Sequence, residues 1–203
     1  MWLFIAITVV AGYLLGNLNG AICASKALGD DVRTHGSGNA GLTNFIRSYG
    51  ASHALLVIVI DAGKAVAGCL IGGFLLKNHL GFQSGAILGG SAVMLGHVFP
   101  AFLGFRGGKG ILSGLFIAVV VDYRVALIIL AIFAIAYIAT GYVSLGSVLG
   151  ASALSVTFVL LHFDNYVIVG CGIFMGVLAV FMHRKNIVRL LQGKESKTNL
   201  FKK

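Results

Sequence analysis

The sequence predicts an all-α integral membrane protein, a compact bundle of seven transmembrane helices with its N-terminus outside and its C-terminus cytoplasmic. Three observations lead there. Of the 203 residues, 58% are hydrophobic and 10% charged, with a single proline and a mean hydropathy of +0.98, far from the balance of a water-soluble domain. The apolar residues fall into runs of roughly 2 to 24, 54 to 76, 83 to 103, 111 to 121, 125 to 141, 144 to 162 and 165 to 182, most of them near the ~20 residues that span a bilayer. If each run crosses, one side carries Lys26, Arg33, Arg47, Arg106, Lys109, Arg184, Lys185, Arg189, Lys194, Lys197, Lys202 and Lys203, and the other only Lys77 and Arg124. Such an excess of Lys and Arg marks the cytoplasmic side.

The net charge of +9 fits membrane orientation and anionic ligands or lipids, not nucleic acid, because too little polar surface remains for a soluble basic domain. Cys23, Cys69 and Cys171 stand apart in apolar stretches and read as small buried hydrophobes, not a disulfide framework or metal site. The chain reads as one domain over 1–203, without repeats, and no obligate protein partner is inferred.

In chain order, the first run lacks the cationic start and cleavage site of a secretory signal and is taken as the first span. Its Gly12, Gly16 and Gly20 form a face suited to close helix packing. The loop from Ser25 to about Ala51 contains His35-Gly-Ser-Gly-Asn-Ala-Gly-Leu-Thr-Asn-Phe-Ile-Arg47. There, glycines interleaved with Ser37, Asn39, Thr43, Asn44 and Arg47 make a backbone nest with added side-chain donors, an anion-binding composition. A helix starting near Thr43 would put Thr43 and Arg47 on one face.

The second run carries Asp61 and Lys64, three residues apart, so that they can pair within the bilayer. A proton relay needs more than one acid, so the pair reads as structural or site-orienting. The third run has Gly81, Gly85 and Gly89 and ends on Gly96-His97-Val-Phe-Pro100. His97 is either a group that reaches the inner interface or a buried, satisfied histidine.

Then comes Gly104-Phe-Arg106-Gly107-Gly108-Lys109-Gly110. Four glycines bring backbone N–H groups close to a ligand, two cations supply charge, and the loop feeds a helix N-terminus. The fourth run is short, covering little more than half the hydrocarbon thickness at about 1.5 Å per residue, yet charge parity requires it to cross. The sixth opens with Ser144 and Ser147, and carries Gly146 and Gly150. The last leaves the membrane at His183 and Asn186, followed by a short amphipathic helix on the inner surface that Gly193 ends. These polar groups are expected to converge on one membrane face.

Absences narrow the chemistry. Residues 104–110 lack Walker A spacing, and there is no Gly-x-Ser-x-Gly elbow or His-Glu-x-x-His. No histidine has the His-x4-Asp partner that common lipid acyltransferases use as a base, and Asp30 with Asp31 is too little for a two-metal site. The composition binds anions and offers no obvious general base, and neither a metal nor a cofactor is called for.

Three stretches carry a resemblance. Ser37-Gly-Asn-Ala-Gly-Leu-Thr-Asn-Phe-Ile-Arg47, Gly96-His-Val-Phe-Pro-Ala-Phe-Leu-Gly-Phe-Arg-Gly-Gly-Lys-Gly110 and His183-Arg-Lys-Asn-Ile-Val-Arg-Leu-Leu-Gln-Gly193 resemble the signature motifs of the bacterial acyl-phosphate:glycerol-3-phosphate acyltransferases. Asn17 and Asn19 depart from the usual Ser and Pro, Leu42 from Ala, and Lys185 from Glu. The resemblance implies acyl transfer from acyl phosphate to the 1-hydroxyl of sn-glycerol 3-phosphate, giving lysophosphatidate and phosphate at the inner face of a bacterial cytoplasmic membrane. It implies that Ser37, Arg47 and Lys109 hold phosphate oxygens and stabilise developing charge, while His183 and Asn186 orient glycerol 3-phosphate. Gly38, Asn39, Gly41, Thr43, Asn44, His97, Arg106, Gly107, Gly108, Gly110, Ser144 and Ser147 would line the substrates. Which pocket takes which phosphate stays open, as does the proton acceptor, a substrate phosphate oxygen or His183. A transporter of an organic phosphate or a lipid-binding scaffold would place cations similarly.

Overall fold

The computed structural model describes residues 1–197, and among them all regular structure is helical. Lys202 and Lys203, counted above in the inner-face charge, lie outside the described residues. The chain divides into two compact units, Met1–Val121 and Asp122–Lys203.

The first unit holds α1 (Trp2–Gly16), α2 (Gly20–Ala27), α3 (Leu42–Tyr49), α4 (Ala54–Leu80), α5 (Phe82–Val98) and α6 (Ile111–Val121). Helices α1, α4 and α5 pack on one another, and α6 lies against α4 and α5. The small-residue faces make this possible. A Cβ on Gly12 would stand 2.7 Å from Gly89 O, and one on Gly16 or Gly72 would collide with the carbonyl of Val93 or Gly85. Backbones that approach so closely gain dispersion contacts that apolar side chains, equally content in lipid, do not supply.

Where the sequence suggests one helix over 2 to 24, the chain breaks at 17–19. Asn19 caps α2 by accepting from Ile22 N at 3.0 Å, and Asn17 accepts from Phe102 N at 3.1 Å. The carbonyls of Gly16 and Leu18 take hydrogen bonds from Lys64 Nζ. Polar groups opened by the break thus find partners on α4, on α5's C-terminal extension and within the turn itself, as a buried interruption requires. Cys69 is buried as expected, whereas Cys23 points outward from α2 and is exposed.

The second unit holds α7 (Tyr123–Thr140), α8 (Val143–Leu161), α9 (Tyr166–Met182) and α10 (Arg184–Leu191), with α7 against α8 and α8 against α9. Asp122 caps α7 through Arg124 N at 2.9 Å and Asn165 caps α9 through Ile168 N at 3.1 Å. The Asp122 carboxylate also meets the Arg124 guanidinium at 2.7 Å and His162 Nε2 at 3.0 Å. The Arg124 side-chain hydrogen bonds hold its carboxyl at about 2.

Among the described residues, five helical segments are long and apolar enough to cross a bilayer: Trp2–Ala27, Ala54–Leu80, Phe82–Leu103, Tyr123–Thr140 and Val143–Leu161. Helices α9 and α10, which meet at a 55° bend, pass the same test only when taken together, as a broken span or a re-entrant loop. The remaining apolar helix, α6, has 11 residues.

Candidate active site

The two glycine-bearing loops of the first unit are built into each other. A core of Ala21, Ile22, Ala24, Val32, Ala40, Phe45 and Val57 anchors the first loop at both ends. Between them, a 3-10 turn at Val32–Thr34 is capped by Asp31, which accepts from Arg33 N at 3.0 Å. Arg33 pairs with Asp31 at 2.7 Å and donates through Nη1 to Leu103 O at 2.8 Å, tying this turn to the segment that leads into the glycine loop. The Arg33 side-chain hydrogen bonds hold the Asp31 carboxyl at about 2. The neighbouring Asp30 accepts from Asp31 N, Tyr49 Oη and His35 Nε2, and the backbone N–H leads in holding its carboxyl below the ordinary range. Asp31 is thus paired with a cation, while Asp30 stays a carboxylate held by hydrogen bonds.

Asn44 shapes the turn that presents Ser37. Its Nδ2 donates to Val32 O and His35 O at 3.1 and 3.0 Å, while Oδ1 accepts from Ser37 N at 2.9 Å. Named from sequence among ligand-facing donors, Asn44 is buried, with its amide spread over the loop's own backbone. Gly36 and Gly38 take φ of +56° and +69°, a region that a Cβ disfavours. Ser37 and Gly38 are left exposed, with Asn39, Gly41 and Thr43 half-buried behind them. Helix α3 starts after Gly41 without a side-chain cap, the arrangement that leaves first-turn N–H groups to a ligand or to water. Arg47, four residues past Thr43, is exposed in its last turn.

The second loop rests on the first through Gly108. Gly108 N donates to His97 O at 3.1 Å, and a Cβ on Gly108 would collide with His97 Nε2 and stand 2.8 Å from Ala40 O. Gly107 is pressed on the His97 carbonyl and Gly110 on the side chain of Met94. Lys109 is half-buried between Gly108 and Gly110, and Arg106 is exposed. His97 resolves to a buried histidine: its Nδ1 meets Lys64 Nζ at 2.7 Å, and its ring lies against Gly108.

In the second unit His183 and Asn186 are both buried at the bend from α9 into α10. His183 Nδ1 lies 2.8 Å from Ala179 O. A carbonyl only accepts, so Nδ1 carries hydrogen and a neutral ring keeps its lone pair on Nε2. Asn186 donates to Glu195 Oε1 at 2.7 Å and Arg189 to Glu195 Oε2 at 2.6 Å. Burial pushes the Glu195 carboxyl up, and the hydrogen bonds from Arg189 and Asn186 outweigh it, leaving it below its ordinary value. Glu195 is the residue that sequence reasoning missed, and its one signal is a lone acid within a basic tail. Ser144 and Ser147 are buried in the first turns of α8.

A family model described as glycerol-3-phosphate acyltransferase matches residues 6–193. A glycerol-3-phosphate acyltransferase of Thermoanaerobacter sp. (strain X514) is 41% identical over 199 residues, covering 96% of each chain. One of Finegoldia magna is 37% identical over 198 residues, covering 97% of each. Among solved structures, PlsY (YgiH), an integral membrane glycerol 3-phosphate acyltransferase, matches in its glycerol 3-phosphate form with a TM-score of 0.87 and 30% identity, covering 98% of this chain and 99% of that one. Its lysophosphatidic acid form matches with a TM-score of 0.81 and 31% identity, covering 97% and 96%. The chain belongs to the glycerol-3-phosphate acyltransferase family.

Proposed function

We propose that this multi-pass membrane enzyme transfers a fatty acyl group from acyl phosphate to the 1-hydroxyl of sn-glycerol 3-phosphate, giving lysophosphatidate and inorganic phosphate. The observation that carries the reading is the seating of the Gly104 to Gly110 loop against Ala40 of the first loop, which supports a shared anion cradle containing Ser37, Arg47, Arg106 and Lys109. Two substrates that each present a phosphate call for such a cradle.

The hydroxyl oxygen attacks the acyl carbon, the bond from that carbon to the phosphate oxygen breaks, and the hydroxyl proton leaves with phosphate. An acyl phosphate is already activated, so orientation supplies about 7–11 kcal/mol of the barrier reduction. Ser37, Arg47 and Lys109 hold phosphate oxygens and stabilise charge on the carbonyl oxygen as it develops. His183 and Asn186 orient glycerol 3-phosphate. The first acceptor of the hydroxyl proton is a substrate phosphate oxygen, and His183 is the alternative, its lone pair on Nε2 suiting that role. The remaining motif residues, Gly38, Asn39, Gly41, Thr43, Gly107, Gly110, Ser144 and Ser147, line the substrates, with Asn44 and Gly108 shaping the loops.

The topology we favour has the N-terminus outside, α6 crossing as a seventh span, and the loops and tail at the cytoplasmic face of the bacterial inner membrane, on the strength of the cation asymmetry. The test is purified protein in sealed vesicles with palmitoyl phosphate and glycerol 3-phosphate. Lysophosphatidate formation is the expected result. Uptake of glycerol 3-phosphate without acylation would make the protein a transporter instead.

A further inference from the structure

Beneath the glycine loop lies a buried polar cluster that the acyl-transfer scheme does not use. Lys64 Nζ sits 2.8 Å from Asp61 Oδ1 and 2.7 Å from His97 Nδ1, and also donates to the carbonyls of Leu18 and Gly16. Asp61 Oδ1 in turn accepts from Gly20 N at 3.1 Å and lies 3.5 Å from His97 Nδ1. Asp61, Lys64 and His97 are all at least 95% shielded. One lysine on α4 therefore meets the break between α1 and α2 and the last turn of α5.

An ammonium donates only. With Lys64 charged against Asp61, its hydrogen bond to His97 makes Nδ1 the acceptor, and a second cation 2.7 Å away would be repelled. His97 is then a neutral ring with its proton on Nε2. That Nε2 edge meets Gly108, on the side where Ala40 O also stands, and the His97 carbonyl takes the Gly108 N–H. Asn19 completes the frame by donating to Ala40 O at 3.1 Å. The His97 ring thus backs Gly108 at the point where it meets Ala40 O, and Lys64 and Asp61 surround its Nδ1 edge.

We propose that Asp61 and Lys64 are positioning residues of the transfer reaction, fixing the His97 ring as the spacer that sets the distance between the Ser37 to Arg47 loop and the Gly107-Gly108 backbone. The proposal rests on the acyltransferase reading. It distinguishes the pair from a merely structural ion pair, whose replacement by matched apolar residues is often neutral, whereas loss of one partner leaves an unpaired buried charge.

The experiment is therefore the double variant Asp61→Leu with Lys64→Met, compared with wild type for thermal unfolding, for KM and kcat with glycerol 3-phosphate, and for amide hydrogen exchange over residues 104–110. The expected result is a folded protein whose KM rises about 10- to 100-fold, a penalty typical of a displaced binding group, with faster exchange in the loop. A folded double variant with wild-type KM and loop exchange overturns the proposal. Where the double variant does not fold, His97→Asn decides, because its amide oxygen keeps an acceptor for Lys64 while removing the ring edge against Gly108. Raised KM and faster loop exchange support the spacer, and wild-type values refute it. A wild-type protein without acyltransferase activity would count against the functional reading, and the loop exchange measurement would still judge the spacer.

Discussion

The amide of Asn44 receives the Ser37 N–H at 2.9 Å while donating to two carbonyls upstream, so one buried side chain sets where the Ser37 hydroxyl stands. Asn44→Ala strands two carbonyls and an N–H. The expected cost is about 1–3 kcal/mol of stability per unsatisfied buried group and roughly 100-fold in activity from the misplaced serine. Unfolding temperature and initial rates on one preparation check both. Full activity would show that Ser37 needs no brace.

Glycines divide by what a side chain would meet. Gly108→Ala must displace either His97 or Ala40, whereas Gly63 on α4 has nothing within 4 Å. The expected outcome is loss of about 100-fold or more in rate for Gly108→Ala and wild-type turnover for Gly63→Ala. Equal effects of the two substitutions would sink the close approach of the loops.

Glu195 reaches back to Asn186 and Arg189. Glu195→Ala removes the acceptor that orients the Asn186 amide, so activity is expected to fall at least about tenfold, the low end for a misoriented group. The falloff should match that of Asn186→Ala, and the double variant should be little worse than either single one. Additive losses in the double variant would mean that the two residues act separately.

The Asp122 cluster makes a prediction about pH. Its folded carboxyl value, about 2, lies below the ordinary one of 3.8, so the cluster's contribution is complete above the unfolded value and disappears as pH falls through the folded one. Asp122→Asn is expected to lower stability by about 0.5–1 kcal/mol at neutral pH, the worth of an ion pair whose Arg124 side is open to solvent, with the gap to wild type closing between pH 4 and pH 2. Thermal unfolding of both proteins across that range checks it, and a gap independent of pH would contradict the ion pair.

Much of this was legible in the chain, because apolar runs and glycine spacing are local. The packing faces at Gly12, Gly16, Gly85 and Gly89 and the pairing of Asp61 with Lys64 follow from helix periodicity alone. The break at 17–19 was not, since the partners that satisfy it, Lys64 and Phe102, are 46 and 85 residues away. His97 was ambiguous for the same reason: its neighbour Lys64 is 33 residues distant. Glu195 stayed hidden because its role needs the tail to fold back over α10. Spacing names the groups in a site, and only long-range contacts separate those that face a ligand from those that hold them.

Lys109 acting at a phosphate is the centre of the proposed acyl transfer. The most direct test reconstitutes wild type and Lys109→Ala in lipid with palmitoyl phosphate and glycerol 3-phosphate, and quantifies 1-acyl lysophosphatidate and released phosphate together. The expected result is one phosphate per lysophosphatidate for wild type and a folded Lys109→Ala whose rate is at least about 1,000-fold lower, the loss expected when a main charge-stabilising donor goes. Phosphate release without lysophosphatidate, or a Lys109→Ala variant as fast as wild type, would contradict it.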